Sequence, residues 1–275
     1  MGSDYHLEFQ GFIVGWKAIA RSAMGTSHQI QKISCQDYGC YHIFNDVIVG
    51  VVSDGAGSAK YSDIGSKLAV KTVIKCFSEI NKFPNKQEEL EKKFSQPLST
   101  PEVEQFFIKV VAQVLQELEN HANNENYSIN DLACTLLVFI ATPYWLAAMQ
   151  IGDGFIVVRL QDSDYQLLFE PDKGEFANET TFLTSKDVIK EMQIKVISGE
   201  QSFISASTDG LEKVAIRLRD WQPFTPFFKP LEEYLQETAN PESEDHYLVN
   251  FLNSERLNTR TDDDKTLLLC LFNRK

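Results

Sequence analysis

The chain has 275 residues, enough for one large domain or two small ones, and its 43% hydrophobic and 24% charged residues exclude wholesale disorder. The 39 acidic against 26 basic residues give a formal charge of −13, which opposes non-specific binding to nucleic acid or anionic lipid. No apolar run approaches the ~18 residues of a membrane-spanning helix. The opening Met1-Gly2-Ser3-Asp4-Tyr5-His6 lacks the basic and apolar parts of a secretory signal, and His6 stands where a myristoylation sequence carries Ser or Thr. Cys35, Cys40, Cys76, Cys134 and Cys270 form no C-x-x-C pair, which fits a reducing compartment. The expectation is a soluble, cytoplasmic protein. Zinc has little support, because the histidines are scattered and H-E-x-x-H is absent.

In chain order, residues 1–10 read as a tail and 11–275 as a single domain. The stretch Gly11–Ala20 alternates at Phe12, Val14, Trp16 and Ala18, the pattern of a half-buried strand. Tyr38–Val52 holds two apolar runs split at Asn45-Asp46, a hairpin signal. After Ser53-Asp54-Gly55-Ala56-Gly57-Ser58, a helix runs from about Ser62 to Ile80, with Ile64, Leu68, Ile74 and Phe77 on one face and Ser62 or Asp63 as its cap. Lys82–Thr100 is polar and reads as a surface connection with a short charged helix. Thr100-Pro101-Glu102 opens the clearest helix, capped by Thr100, with Val103, Phe107, Val110, Val114 and Leu118 on one face. Asn120–Asn130 reads as a polar loop. The runs Cys134–Ala141, Trp145–Ile151 and Phe155–Leu160 suggest an antiparallel meander. Tyr165–Phe169 and Ser202–Ser207 add strands, Pro226–Thr238 and Glu242–Leu252 add helices, and Thr266–Phe272 closes the chain as a strand. The fold class is α+β, with antiparallel sheets covered by helices.

One local context recurs. Asp54, Asp153 and Asp209 each follow an apolar strand and precede a glycine, while Asp263 and Asp264 lie just before the last strand. An Asp-Gly pair is usually only a turn, and Asp262-Asp263-Asp264 only a solvated acidic run. Asp37, by the same measure, reads as an exposed residue at a strand start. Antiparallel sheets, however, bring strand ends and neighbouring strand starts to one edge, where these carboxylates can converge. Crowded carboxylates repel unless cations neutralise them. Hard oxygen donors select magnesium, manganese or calcium over zinc, and paired ions of this type serve hydrolysis at phosphate.

The residues then meet a family. Cys35-Gln36-Asp37, Val52-Ser53-Asp54-Gly55-Ala56-Gly57, Ala133-Cys134-Thr135, Ile151-Gly152-Asp153-Gly154, Ser207-Thr208-Asp209-Gly210-Leu211 and Asp263-Asp264-Lys265-Thr266 follow one another as in the metal-dependent protein phosphatases of type 2C, the PPM family, and resemble its bacterial members. Each motif is short; their order and strand context carry the resemblance from about Gly25 to Phe272. The resemblance implies a four-layer αββα sandwich of two antiparallel sheets flanked by helices, with two magnesium or manganese ions at one end. Asp54 matches the carboxylate bridging both ions, and the Gly55 carbonyl a further ligand. Asp209 and Asp263 match ligands of the first ion, and Asp37 an acidic position near the second. Asp153, with Asp209, resembles the holder of a weaker third ion in some members. Thr135 matches a position inside the sheet that orients or packs. The implied reaction is dephosphorylation of phosphoserine and phosphothreonine by a water bridging the ions, without a phosphoenzyme.

Three places depart from the pattern, one of them after Asp153, where Gly154-Phe155 stands in place of the family's Ser-Arg beside the third ion. Lys32 stands where the family usually places an arginine, a point charge instead of a bidentate fork. Ala56 stands where many members carry a histidine, and His28 of Gly25-Thr26-Ser27-His28 is the alternative proton donor or phosphate contact. Arg21, a further cation, reads as a solvated strand-end charge. The catalytic set expected from the resemblance is therefore Asp54, Asp209, Asp263, Lys32 and His28, with Lys32 and His28 on the substrate. The expected partner is a phosphorylated protein, a cognate Ser/Thr kinase or its targets, met by a monomer that binds neither nucleic acid nor membrane. Two alternatives remain open at this stage: a catalytically weak member serving as a regulatory or binding module, and a hydrolase of small phosphate esters.

Overall fold

Side-chain alternation sorts the core into layers. Along Val47–Ser53, Val49 and Val51 pack with one set of helices, while Ile48 and Val52 pack against a second sheet. Along Lys265–Asn273, Leu267, Leu269 and Leu271 face other helices, while Leu268 and Cys270 join Ile48 and Val52 between the sheets. Both strands are buried on two sides, so they read as continuous apolar runs. The computed structural model describes residues 15–80, 96–161, 163–169 and 180–274.

In chain order the elements are β1 (Gly15–Ala23), α1 (Thr26–Gln31), β2 (Tyr38–Phe44), β3 (Val47–Ser53), α2 (Ser62–Ile80), α3 (Thr100–Glu125), β4 (Leu136–Ala141), β5 (Trp145–Ile151), β6 (Phe155–Leu160), β7 (Gln166–Leu167), α4 (Val188–Glu191), β8 (Gln193–Ser198), β9 (Gln201–Ser207), α5 (Glu212–Ala215), β10 (Ile216–Arg217), β11 (Gln222–Pro223), α6 (Thr225–Glu237), α7 (His246–Leu252), α8 (Glu255–Asn258) and β12 (Lys265–Asn273). One five-stranded sheet has the order β2-β3-β4-β5-β8, the other β1-β12-β9-β6-β7, β10 and β11 form a separate two-stranded ribbon, and every pairing is antiparallel. Helices α2 and α3 cover the first sheet through Val70, Val73, Phe77, Phe107, Val111 and Val114. Helices α6 and α7 cover the second through Phe228, Leu231, Leu235, Leu248 and Leu252. The expected four layers are present. Among the described residues, no helix is long and apolar enough to cross a membrane.

Several sequence expectations change. Ser99, not Thr100, caps α3: its amide and hydroxyl both donate to Glu102 Oε2, at 2.9 and 2.7 Å, a reciprocal box one residue earlier than expected. The same helix continues through Glu125, so half of the expected loop at Asn120–Asn130 is helical; Ala122 extends the buried stripe four positions beyond Leu118. The meander ends at β5. At Gly152-Asp153-Gly154 the chain leaves the first sheet, and β6 pairs with β9 and β7 in the second. Gly152 makes the crossing with φ +104°, and a Cβ there would press on Thr135 at 2.5 Å. The strand expected over Tyr165–Phe169 shrinks to β7, and β8, unforeseen, forms the edge of the first sheet. The tail 1–10, the start of the first expected strand and most of Lys82–Thr100 lie outside the described residues.

Candidate metal centre

The sheet ends that carry aspartates meet at one edge of the sandwich. Asp54 leaves β3 with its backbone locked to the start of β4: its amide donates to Thr135 Oγ1 at 2.9 Å, and its carbonyl accepts from the Thr135 amide at 2.8 Å. Thr135 is buried and orients Asp54. Asp209 opens a short 3-10 turn directly after β9, and Asp153 sits in the crossing turn between β5 and β6. Carboxylate oxygens of Asp54, Asp153 and Asp209 all lie within 4.8 Å of one another. Thr180 Oγ1 donates to Asp153 Oδ2 at 2.6 Å.

Asp37 does not behave as an exposed strand start. It is 5% exposed, and its carboxyl lies beside that of Asp54 and interacts with it. Thr208 fixes the rest of its surroundings. Thr208 Oγ1 accepts from the Thr266 amide at 3.0 Å, leaving its own proton to donate to Asp37 Oδ2 at 2.6 Å. The preceding residue, Gln36, is anchored as well: its carbonyl accepts from the Gly55 amide at 3.2 Å and from Ser66 Oγ at 2.5 Å. These bonds hold the Gly55 turn beside the Asp37 carboxylate.

Asp263 stands next to the group without entering it. It faces solvent, its Oδ1 accepts from the Asp264 amide at 2.8 Å, and its charge acts on both Asp54 and Asp209. The neighbouring Asp264, named in the sequence beside the last strand but given no role of its own, is 2% exposed and accepts three bonds: from the Gly25 amide at 2.6 Å, the Gln36 amide at 2.6 Å and His28 Nδ1 at 2.9 Å. Helix α1 is thereby moored to β12, and only a residue without Cβ fits at Gly25, which touches the Asp262 and Asp263 backbone. His28 presents its other ring nitrogen, Nε2, away from this bond. Lys32 ends α1 in the left-handed region at φ 59°, exposed and with no ion-pair partner among the described residues. Arg21 is not a free strand-end charge, since it pairs with Glu242 and Asp245 at 2.7 and 2.9 Å. Ala56 is buried, its amide bonded to the Ala133 carbonyl.

The electrostatics follow from burial and crowding. Desolvation pushes up the carboxyls of Asp37 and Asp54, and Asp37, then Asp263 and Asp153, push Asp54 further. Burial, then Asp54, Asp153 and Asp263, push Asp209 up to about 8. Burial likewise raises Asp263. Among the described residues, no lysine or arginine forms an ion pair with any of these carboxylates. An all-oxygen set of repelling carboxylates, none of them ion-paired with a lysine or arginine, fits a hard divalent cation, whose charge would reverse the direction of every one of these shifts.

The model of the family described as protein phosphatase 2C matches residues 24–253. The chain belongs to the protein phosphatase 2C family. Serine/threonine-protein phosphatase 3 of Escherichia coli (strain K12) is 34% identical over 268 residues, covering 94% of this chain and 99% of that one. Among solved structures, the S. agalactiae serine/threonine phosphatase superposes with a TM-score of 0.62 at 13% identity, covering 94% of this chain and all of that one. The serine/threonine phosphatase Stp1 from Staphylococcus aureus gives 0.58 at 13% identity, with 100% coverage of both chains. These two likenesses concern the fold. The type 2C family is metal-dependent, and this member supplies an aspartate cluster able to bind metal. Thr208 and Asp264 are the participants to which the sequence assigned no role; both lie inside the family-like motifs, but nothing local marks their partners.

Proposed function

We propose that the protein is a metal-dependent protein serine/threonine phosphatase with magnesium or manganese as its ions. Asp54, the Gly55 carbonyl, Asp209 and Asp263 would hold the ion pair, with Asp37 beside the second ion and Asp153 joining Asp209 at a third. The convergence of Asp54, Asp153 and Asp209 within 4.8 Å carries this reading. When bound, such ions acidify a water and neutralise charge on the phosphoryl oxygens. The chain's own residues supply position. Thr135 aims Asp54, Thr208 aims Asp37, and Asp264 holds the His28 Nδ1 so that Nε2 is the atom left for the phosphate or the leaving oxygen. Lys32, exposed at the end of α1, is the candidate cation for the phosphate.

The substrate in this reading is a phosphorylated protein segment, such as a Ser/Thr kinase or its targets, met by a cytoplasmic monomer independent of nucleic acid and membrane. We read residues 11–275 as one catalytic domain. The complete carboxylate set counts against a purely regulatory module. Manganese-dependent release of phosphate from a phosphothreonine peptide, lost in Asp54→Asn, is the expected result. Turnover that survives Asp54→Asn, or no turnover with any divalent metal, would overturn it.

A further inference from the structure

Lys265 is a lysine with no exposed surface, at the first position of β12, between the turns that carry Asp209 and Asp263. Lysines are almost never fully buried without a carboxylate partner. This one has none within ion-pair distance among the described residues. Its Nζ donates instead to the backbone carbonyl of Asp263 at 3.2 Å and to Asn258 Oδ1 at 3.1 Å. The amide of Asn258 is itself oriented, since its Nδ2 donates to the Asn253 carbonyl at 3.3 Å. The lysine stem lies along Gly210, its Cγ 3.5 Å from where a Cβ would stand. The ammonium is therefore tethered from two sides, and it cannot swing out to solvent or forward onto a carboxylate without leaving both acceptors.

Burial pulls the Lys265 ammonium below the ordinary lysine range, and the charges of Asp264, Asp263 and Asp37 oppose that pull. We propose that Lys265 is a built-in counter-cation of the carboxylate cluster, held at a fixed distance so that it lowers the affinity of the site for divalent metal. A positive charge fixed beside the cluster offsets carboxylate repulsion when no ion is bound and repels the ion that enters. Because both acceptors are neutral oxygens, the full charge remains to act on the carboxylates. The metal centre would then be tuned toward exchangeable ions, and the tuning resides in a residue that ligates nothing.

This inference rests on the metal reading above, and calorimetric titration of the full chain with manganese separates the two. Lys265→Met and Lys265→Gln remove the charge at similar length and should bind manganese roughly tenfold more tightly than wild type. Asn258→Ala keeps the charge while removing one tether, and should stay near wild-type affinity even if its melting temperature falls. Neutral variants that bind no more tightly than wild type, or an Asn258→Ala that matches them, would overturn the role of Lys265. Absence of manganese binding by the wild type would instead overturn the metal reading itself. If one neutral variant does not fold, the other carries the comparison.

Discussion

At the scale of single residues, the buried Asp264 and the half-buried Asp54 should respond to mutation in opposite ways. Asp264 satisfies two backbone amides and His28, so Asp264→Ala leaves buried donors without acceptors and should cost about 2–4 kcal/mol in urea unfolding. Asp54 meets repulsion instead. Asp54→Asn should abolish turnover while the metal-free protein melts at or above wild type. Asp209 gives the pH dependence: its carboxyl rises from 3.8 in the unfolded chain to about 8 in the fold. Between those values the folded state keeps a proton that the unfolded state has lost, so this group's contribution is complete at low pH and disappears as pH climbs through about 8. Metal-free wild type should therefore lose stability relative to Asp209→Asn over that interval, followed by thermal melting at each pH. The aspartates themselves were legible, because an acidic residue after an apolar strand and before a glycine stands out locally. Their partners were not: Thr208 reaches Asp37 across 171 positions and Asp264 reaches Gly25 across 239.

Elements were read best where their periodicity was uninterrupted. Helix α2 and the hairpin of β2 and β3 lie where the apolar spacing and the Asn45-Asp46 turn put them, with Asn45 at φ 49°. The end of α3 was misread because Asn120, Asn123 and Asn124 look like loop, yet Leu118 and Ala122 continue the stripe that packs on the first sheet. Tertiary packing there overrides weak local propensity. The start of the same helix depends on a reciprocal pair. Glu102→Ala should lower stability by about 1 kcal/mol, visible as a small fall in melting temperature without change in metal affinity. Strand β8 was missed because Gln193, Lys195 and Ser198 dilute its alternation, and its place is set by pairing with β5 along Trp145–Gln150.

For the whole molecule, the decisive event is the passage from one sheet to the other at Gly152. A side chain there would have to adopt φ +104° and displace Thr135, whose hydroxyl and amide align Asp54. Gly152→Ala should cost about 1–3 kcal/mol and lower kcat as well, a joint loss that assays of stability and turnover would show together. Divalent metal, binding only the folded centre, should raise the melting temperature progressively with its concentration. Composition, the apolar strand runs, the helix stripes and the aspartates at strand ends were all determined by the sequence alone, since each is written in consecutive residues as a local period or a turn. Only the tertiary structure decided that β6 belongs to the second sheet, that Asp54, Asp153 and Asp209 meet within 4.8 Å with Asp263 beside them, that His28 is held by Asp264, and that Lys265 is enclosed. Those outcomes depend on contacts between segments far apart in the chain, whose balance of burial, charge and hydrogen bonding no short stretch contains.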